Sequence, residues 1–263
     1  MHFNLVDAYQ PGASRIHAMD SRLKLITAVA LIIFIGLTPT GEFRIYLGFF
    51  MLVMGGVLLA RLDPALVVRR SLIALPFAVA AISLIFTVPG PTLTVLPITG
   101  WTITSTGLIR FASIMIKSMI SVQVAVILIL TTHLTDMLWA LSALHTPHVL
   151  VAIISFMYRY VFLLAEEGVR LTRARDSRSA VLEGNPSMGG SILFRARTTG
   201  GMIGNLLLRS FERSERIYQA MVARGYQGEM RQLSPPPIKR QDVLLMVITI
   251  GLGMILLILS LVA

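Results

Sequence analysis

The sequence contains no cysteine and few charged residues. None of its 263 residues is a cysteine, which excludes disulfide bonds, thiolate metal sites and a cysteine nucleophile. Charged residues make up 14% of the chain, whereas an ordinary soluble domain carries about 25%. A chain with so few charges cannot cover itself with polar surface in water, and 55% of this one is hydrophobic. The composition therefore indicates a membrane protein.

The charged residues that are present are biased towards one sign. Lysine and arginine number 23 against 13 aspartate and glutamate residues, which gives a formal net charge of +10 at pH 7. In a membrane protein, such an excess is expected first at the cytoplasmic face. A nucleic-acid-binding protein could carry the same charge, but not the long apolar runs of this chain. The N-terminal segment lacks the basic n-region of a signal peptide.

Five apolar runs come near the roughly 20 residues that a helix needs to cross a bilayer. They are residues 25–37, 43–60, 72–88, 108–131 and 243–262. Lysine and arginine cluster before the first run and after the second, whereas the stretch 89–107 carries no charge. The positive-inside rule then predicts a cytoplasmic N-terminus, an external loop at 89–107 and an external C-terminus.

A sixth apolar run, residues 149–165, is shorter and carries Arg159. If this run crossed the membrane, residues 166–242 would lie outside, and that segment holds 13 of the 23 lysine and arginine residues. Such a topology would invert the charge bias. We therefore predict that residues 149–165 form a helix that does not cross, with a sixth span as the alternative.

Two basic residues lie within the fourth apolar run. Arg110 and Lys117 are seven residues apart, so they share one helical face. Ionisable residues inside a span are candidates for function. Arg110 lies near the predicted external end, where snorkelling to the interface explains it. Lys117 lies deeper and needs either a partner in the chain or contact with another subunit, and both interpretations stay open.

The largest region outside the predicted spans is residues 133–242. The chain is thus predicted to comprise a membrane domain (1–132), a cytoplasmic domain (133–242) and a last transmembrane helix (243–263). The cytoplasmic domain is predicted to hold two helical arms, of which the first begins near Val149. Near its end this first arm carries Arg170, Arg173, Arg175 and Arg178. The glycine and proline residues of 184–190 then break the helix.

The second arm carries a stripe of charges. Arg209, Arg213 and Arg216 recur at spacings of four and three residues, so they share a helical face. Glu212 and Glu215 follow the same rhythm, and we expect them to pair with these arginines across turns. Pairs of this kind support an exposed helix.

The second arm is predicted to run from about residue 203 to Arg224. Gly225 fits the C′ position that ends a helix. The Ser-Pro-Pro-Pro stretch at 234–237 fits a stiff, extended linker into the last span.

Both predicted arms end in an Ala-Arg pair. The first ends in Arg173-Ala174-Arg175-Asp176 and the second in Met221-Val222-Ala223-Arg224-Gly225. Three further segments complete the pattern. They are Ser21-Arg22-Leu23-Lys24-Leu25 at the first span, Tyr158-Arg159-Tyr160 before Glu166-Glu167, and RSERIYQAMVARGY from Arg213 to Tyr226. This set resembles the T component of energy-coupling factor transporters, and within it the cobalt-type family CbiQ. The resemblance covers most of the chain.

The resemblance implies an all-α integral membrane protein. About five transmembrane helices would be joined to a helical cytoplasmic coupling domain with two crossing coupling helices. It also implies a scaffold that couples two cytoplasmic ABC ATPase subunits to a membrane substrate-capture subunit, with a small accessory membrane subunit as a further candidate. The protein would be a multi-pass protein of the inner cell membrane, in contact with the lipid bilayer and with no nucleic acid.

Cobalt ion uptake is the first substrate that the resemblance implies. A nickel or vitamin importer stays open, because specificity in this family lies in another chain. A membrane-embedded enzyme is a more distant alternative, and the first four apolar runs lack the acidic residues that such an enzyme would need. Gly200, Gly201 and Gly204 form no phosphate cradle, since no Gly-Lys-Ser/Thr follows. We expect a non-enzymatic subunit without an ATP site, a cofactor or a metal site of its own.

The resemblance also implies which residues bind the ATPases. The candidates are Ala174 and Arg175 in the first motif, with Ala223, Arg224 and Gly225 in the second. Because Asp176 stands where the family often has glycine, an alternative register through Ser177-Arg178-Ser179 makes Arg178 a candidate too. An arginine side chain presents a planar fork of donors that can bind carboxylates or helix C-terminal carbonyls of a partner.

Overall fold

A computed structural model of the chain describes residues 9–74, 76, 81–95, 102–178, 191–228 and 238–262. These residues are almost entirely helical, which confirms the predicted all-α membrane fold. The helices are α1 (Arg15–Ala18), α2 (Ser21–Leu37), α3 (Phe43–Leu59), α4 (Pro64–Ser71), α5 (Ser83–Thr87), α6 (Ser105–Thr131), α7 (Leu134–Ala143), α8 (His148–Arg178), α9 (Ile192–Ala223) and α10 (Arg240–Val262). The strands β1 (Thr92–Val95) and β2 (Thr102–Thr104) form a small antiparallel sheet.

The chain forms two compact units. One comprises Asn4–Leu144 and Ser234–Ala263, and the other comprises Met1–Phe3 and His145–Leu233. We call the first the membrane unit, which contains α1 to α7 and α10, and the second the arm unit, which contains α8 and α9. The predicted domain boundaries near residues 132 and 242 stay a prediction.

Several helices begin where a short polar side chain can accept a backbone hydrogen bond. Asp20 accepts from the Arg22 N–H at 2.8 Å, and Asp63 from the Ala65 N–H at 3.0 Å. Ser191 accepts from the Phe194 N–H at 3.3 Å at the start of α9. Each of these bonds satisfies a donor that the first turn of a helix leaves free.

The core of the membrane unit lies between α2, α3 and α6. Ile35 and Phe49 are fully buried there, and Ile120 is 2% exposed. The outer faces are apolar as well, since large hydrophobic side chains on α2 and α3 such as Leu37 and Met51 are each 63% exposed. Helices that are hydrophobic on every side are typical of membrane spans.

Among the residues that the structure describes, three helices are long and apolar enough to cross a membrane, namely α6, α8 and α10, and α3 is a shorter apolar helix. The third predicted span, 72–88, is not one continuous helix in the part of it that the structure describes. There, a 3-10 turn at Leu72–Ala74 and the separate helix α5 are seen. Residues 75 and 77–80 lie outside the described residues.

The sixth apolar run, 149–165, lies inside α8, which by length and composition could cross a membrane. Our prediction that it does not cross stays a prediction, and the length of α8 strengthens the alternative. The predicted breaker segment 184–190 and linker 234–237 lie outside the described residues.

The arm unit consists of two long helices that meet in antiparallel order. Arg175 of α8 lies beside Thr199 of α9, whereas Glu167 lies beside residues further along α9. Helix α9 begins at Ile192 rather than near residue 203, and none of its residues is buried. Its half-buried residues recur every three or four positions and include Met202, Leu206, Ser210, Arg213, Ile217 and Met221.

Candidate functional site

The second Ala-Arg motif lies at the C-terminal end of α9. Ala223 is the last helical residue, Arg224 is the C-cap, and Gly225 has a φ of +84°. The Tyr226 N–H donates to the Met221 carbonyl at 3.0 Å, and the Gly225 N–H donates to the Val222 carbonyl at 2.9 Å. These two bonds form a Schellman motif, in which the residue after the C-cap takes the left-handed conformation. Gly225 occupies the C′ position that the sequence predicted.

The Arg224 side chain is exposed at this fixed helix end. Within the described residues it makes neither a side-chain hydrogen bond nor an ion pair. A guanidinium carries five N–H donors, so all of them are available to another molecule. The backbone that carries Arg224 is held by the Schellman bonds, and the helix end therefore presents the side chain from a defined position.

The first motif lies in the last turn of α8. Arg175 donates from Nη2 to Asp176 Oδ1 at 2.8 Å and from Nη1 to Thr199 Oγ1 of α9 at 3.5 Å. Arg178 is exposed, and its side chain has no hydrogen bond or ion pair in the described part of the chain. The Arg175 guanidinium thus already uses some of its donors within the chain, whereas the donors of Arg178 have no partner in the described residues.

The structure does not bring the two motifs together. Because α8 and α9 are antiparallel, the first motif lies beside Thr199, near the start of α9, and the second lies at the far end of α9. The rise of an α-helix puts Thr199 and Arg224 about 37 Å apart along the axis. Two separate surfaces therefore carry the candidate residues.

A charged cluster that the sequence did not predict joins the two arms. The Glu167 carboxylate of α8 accepts from Arg209 Nη1 and from Arg213 Nη2, each at 3.2 Å, and Arg170 Nη2 lies 3.9 Å away. Our expectation that Arg209 and Arg213 pair with Glu212 and Glu215 on their own helix was wrong. Within the described residues neither of these glutamates has an ion pair. We call Glu167, Arg170, Arg209 and Arg213 the Glu167 cluster.

Lys117, inside α6, finds its partner within the chain. Its Nζ donates to the carbonyl oxygens of Gly36, at 3.4 Å, and of Thr38. These carbonyls belong to the C-terminal end of α2, where a positive charge is stabilised by the helix dipole. The Tyr46 ring lies 5.7 Å from the same ammonium. Lys117 therefore caps a neighbouring helix.

The Ser21–Leu25 segment of the family pattern lies at a polar junction. Lys24 is 7% exposed and donates to the carbonyls of His17, at 3.1 Å, and Thr131, at 2.9 Å. The Asp20 N–H donates to Asp242 Oδ2 at 3.3 Å, which ties the start of α2 to the start of α10. Burial of the His17 ring in this junction lowers its pKa. The junction holds the ends of α1, α2, α6 and α10 together.

Comparison with known proteins finds relatives along nearly the whole chain. The family model CbiQ, described as "Cobalt transport protein", matches residues 12–235. "Cobalt transport protein CbiQ" of Rhodobacter capsulatus is 35% identical over 121 residues, which is 46% of each chain. The match therefore spans about half the length of that relative.

Two other relatives match over more of their length. "Energy-coupling factor transporter transmembrane protein EcfT" of Bacillus subtilis is 26% identical over 234 residues, or 85% of each chain. The protein of the same name from Thermanaerovibrio acidaminovorans is 26% identical over 241 residues, or 88% of this chain and 86% of the relative.

Proposed function

The chain belongs to the CbiQ family of cobalt transport proteins, and from this premise we propose that it is the coupling subunit of an energy-coupling factor importer. In this role it spans the membrane and joins two cytoplasmic ATPase subunits to a membrane subunit that captures the substrate. The observation that carries the proposal is Arg224, an exposed arginine with free donors at a fixed helix end.

Each arm end binds one ATPase subunit. Ala223, Arg224 and Gly225 form one binding surface, and Ala174, Arg175 and Arg178 form the other. The separation of these surfaces along α9 supports two partner molecules rather than one. The small alanine beside Arg175 and beside Arg224 allows the partner to approach the helix end closely. The guanidinium binds carboxylates or the last carbonyls of a partner helix.

ATP binding and hydrolysis by the two partners move the arm ends. The long helices α8 and α9 transmit this motion because each is a continuous helix of about 45 Å or more. The exposed hydrophobic side chains of α9, among them Leu207, Leu208 and Phe211, lie at 57–65% exposure and carry the motion to the membrane-embedded partner. The chain itself supplies no chemical step.

Cobalt ion is the substrate that the family supports best. Two relatives named EcfT match 85% and 88% of this chain. This favours a second candidate, the same coupling role in an importer of another substrate. A nickel or vitamin importer is such a case. Uptake of labelled cobalt, nickel and vitamins by the assembled complex separates these substrates.

The coupling role is tested by Arg224→Ala and Arg224→Glu. We expect Arg224→Ala to weaken capture of the ATPase by about 30-fold, since central interface arginines contribute about 2 kcal/mol or more. Arg224→Glu should weaken it further, because the new charge repels partner carboxylates. Co-purification of the ATPases with the tagged chain and cobalt uptake by vesicles are the two measurements.

Arg216 provides the matched control for this experiment. It is exposed on the same helix and has no ion pair within the described residues. Arg216→Ala and Arg216→Glu should leave assembly and uptake unchanged. Unchanged assembly and uptake in both Arg224 variants would refute the proposed role of the second motif.

A further inference from the structure

Glu167 of α8 forms ion pairs with two arginines of α9. Its carboxylate accepts one hydrogen bond on each oxygen, from Arg209 and from Arg213, both at 3.2 Å. The Glu167 side chain is 15% exposed, whereas the Arg209 and Arg213 side chains are 61% and 34% exposed. The carboxylate is therefore covered by the guanidinium groups that bind it, and the ion pairs bridge α8 and α9.

The spacing of the two arginines makes this contact specific for one register. Arg209 and Arg213 lie on successive turns of α9, about 6 Å apart along the axis, and Glu167 bonds to both of them. A slide of α9 by one turn would place Glu167 opposite Asn205 and Arg209, or opposite Arg213 and Ile217. Either slide keeps one ion pair and loses the other. No other two arginines between residues 192 and 223 are four residues apart.

Within the described residues, few other polar contacts join α9 to α8. No residue of α9 is buried, so side-chain packing alone fixes the position of α9 against α8 only weakly. The other cross-helix hydrogen bond involving the first motif, from Arg175 to Thr199, is long at 3.5 Å. Two charge-assisted hydrogen bonds with planar guanidinium groups are more directional than apolar contacts.

We propose that Glu167 is a positioning residue that sets the register and the angle between α8 and α9, and thereby where the two Ala-Arg motifs are presented. The consequence for transport rests on the proposed coupling function. With the Glu167 cluster intact, motion of one arm end is passed to the other arm. Without it, the arms still bind their partners, but they slide or rotate at their contact and ATP hydrolysis is no longer coupled to uptake.

The geometry is tested first on the full chain alone, reconstituted in lipid nanodiscs. The absence of cysteine allows spin labels to be placed only at two introduced cysteines. Val161→Cys on α8 and Gln219→Cys on α9 suit this purpose, since both positions are exposed and each lies six residues from the cluster. Double electron–electron resonance then reports the distance between the arms.

Glu167→Gln keeps the shape of the side chain and removes its charge. We expect a broader distance distribution with a shifted mean, and Glu167→Asp should give an intermediate result because the charge remains. Glu166→Gln is the matched control, since Glu166 is exposed and has no ion pair in the described residues. On α9, Arg209→Gln and Arg213→Gln should broaden the distribution, whereas Arg216→Gln should not.

Coupling is measured in the assembled complex as substrate uptake per ATP hydrolysed. Glu167→Gln should lower this ratio about 2- to 30-fold, the range typical of mutations along a coupling path, while the ATPases still co-purify. An unchanged distance distribution in Glu167→Gln would overturn the proposal, and so would a broadened distribution with an unchanged ratio. If the proposed coupling function itself were wrong, the result would differ, because the Arg224 variants would then capture the ATPases normally.

Discussion

Gly225 holds a backbone conformation that few other residue types take without a cost. Its φ of +84° lies in the left-handed region, where a residue with a Cβ pays about 1–2 kcal/mol. A Cβ at this position would meet no atom within 4 Å. The cost of Gly225→Ala is therefore conformational rather than steric, and it falls on the turn that presents Arg224.

Gly225→Ala should accordingly weaken ATPase capture by about tenfold, with the melting temperature of the chain nearly unchanged. Asparagine tolerates the left-handed region better than alanine does, so Gly225→Asn should retain more of the capture. Equal losses in both variants would contradict a role for the Schellman turn. Quantitative co-purification and a thermal unfolding curve provide the two measurements.

Lys117 gives a second prediction, on stability instead of assembly. Lys117→Met removes the donor to the carbonyls of exposed Gly36 and buried Thr38. The variant should lose about 1–3 kcal/mol of stability, the cost of leaving one buried acceptor unpaired. Thermal unfolding in detergent measures this, and Lys117→Arg, which keeps the donors, serves as control. Loss of uptake without loss of stability would instead indicate a direct role in transport.

The helix end at the second motif could be predicted from sequence because its signals are local. A helix end needs only a few consecutive residues, and Gly225 with the preceding Ala-Arg pair supplies them. The Glu167 cluster could not be predicted in this way. Arg209 and Arg213 find their partner 42 and 46 residues away, whereas Glu212 and Glu215 satisfy the same spacing rule on their own helix. Spacing shows that charges share a face, but not which element faces them.

Among the elements, α10 approaches α2 closely at a single glycine. A Cβ at Gly253 would lie 3.0 Å from Leu31 Cδ2 and 3.1 Å from the Phe34 ring, whereas a Cβ at Gly251 would meet nothing within 4 Å. Gly253→Leu should therefore push α10 away from α2 and lower the stability by about 1–3 kcal/mol, the usual cost of overpacking.

Gly251→Leu is the matched control, with the same change of volume on the open side of the same helix. It should alter the stability by less than about 0.5 kcal/mol, as is usual for changes without such a clash. Thermal unfolding of both variants decides the point. Similar destabilisation by both would mean that helix propensity or lipid contact, and not the contact with Leu31 and Phe34, determines the effect.

Long elements were predicted better than short or interrupted ones. The runs that became α3, α6 and α10 are continuous and apolar, so hydropathy alone identifies them. The start of α9 was predicted too late because Gly200, Gly201 and Gly204 interrupt the pattern. Each glycine destabilises a helix by only about 1 kcal/mol. In α9, a helix of 32 residues, the half-buried side chains along one face offset this destabilisation. At 72–88 the apolar pattern predicts a span, but hydropathy carries no signal for the 3-10 turn at its start.

At the level of the whole molecule, the distribution of positive charge and the proposed ATPase partners both bear on which side of the membrane the arm ends lie. In the proposed function, the ATPase partners hydrolyse ATP in the cytoplasm, and the arm ends at Arg178 and Arg224 would then lie on that side. Residues 166–242 hold 13 of the 23 basic residues, and the positive-inside rule favours the same placement. The topology then depends on whether α8 crosses the membrane before it reaches Arg178.

Single cysteines introduced into the cysteine-free chain decide this, because a membrane-impermeant thiol reagent labels only the accessible side. With five spans, His145→Cys and Arg173→Cys at the two ends of the α8 region should both be labelled in inside-out vesicles. If α8 crosses, His145→Cys stays cytoplasmic, whereas Arg173→Cys should be labelled only in right-side-out vesicles. Pro89→Cys, at an exposed position of the uncharged loop, is the external control. Labelling of Arg173→Cys from outside would show that α8 crosses the membrane. It would also contradict the proposed coupling role, because the arm ends would be separated from cytoplasmic ATPases.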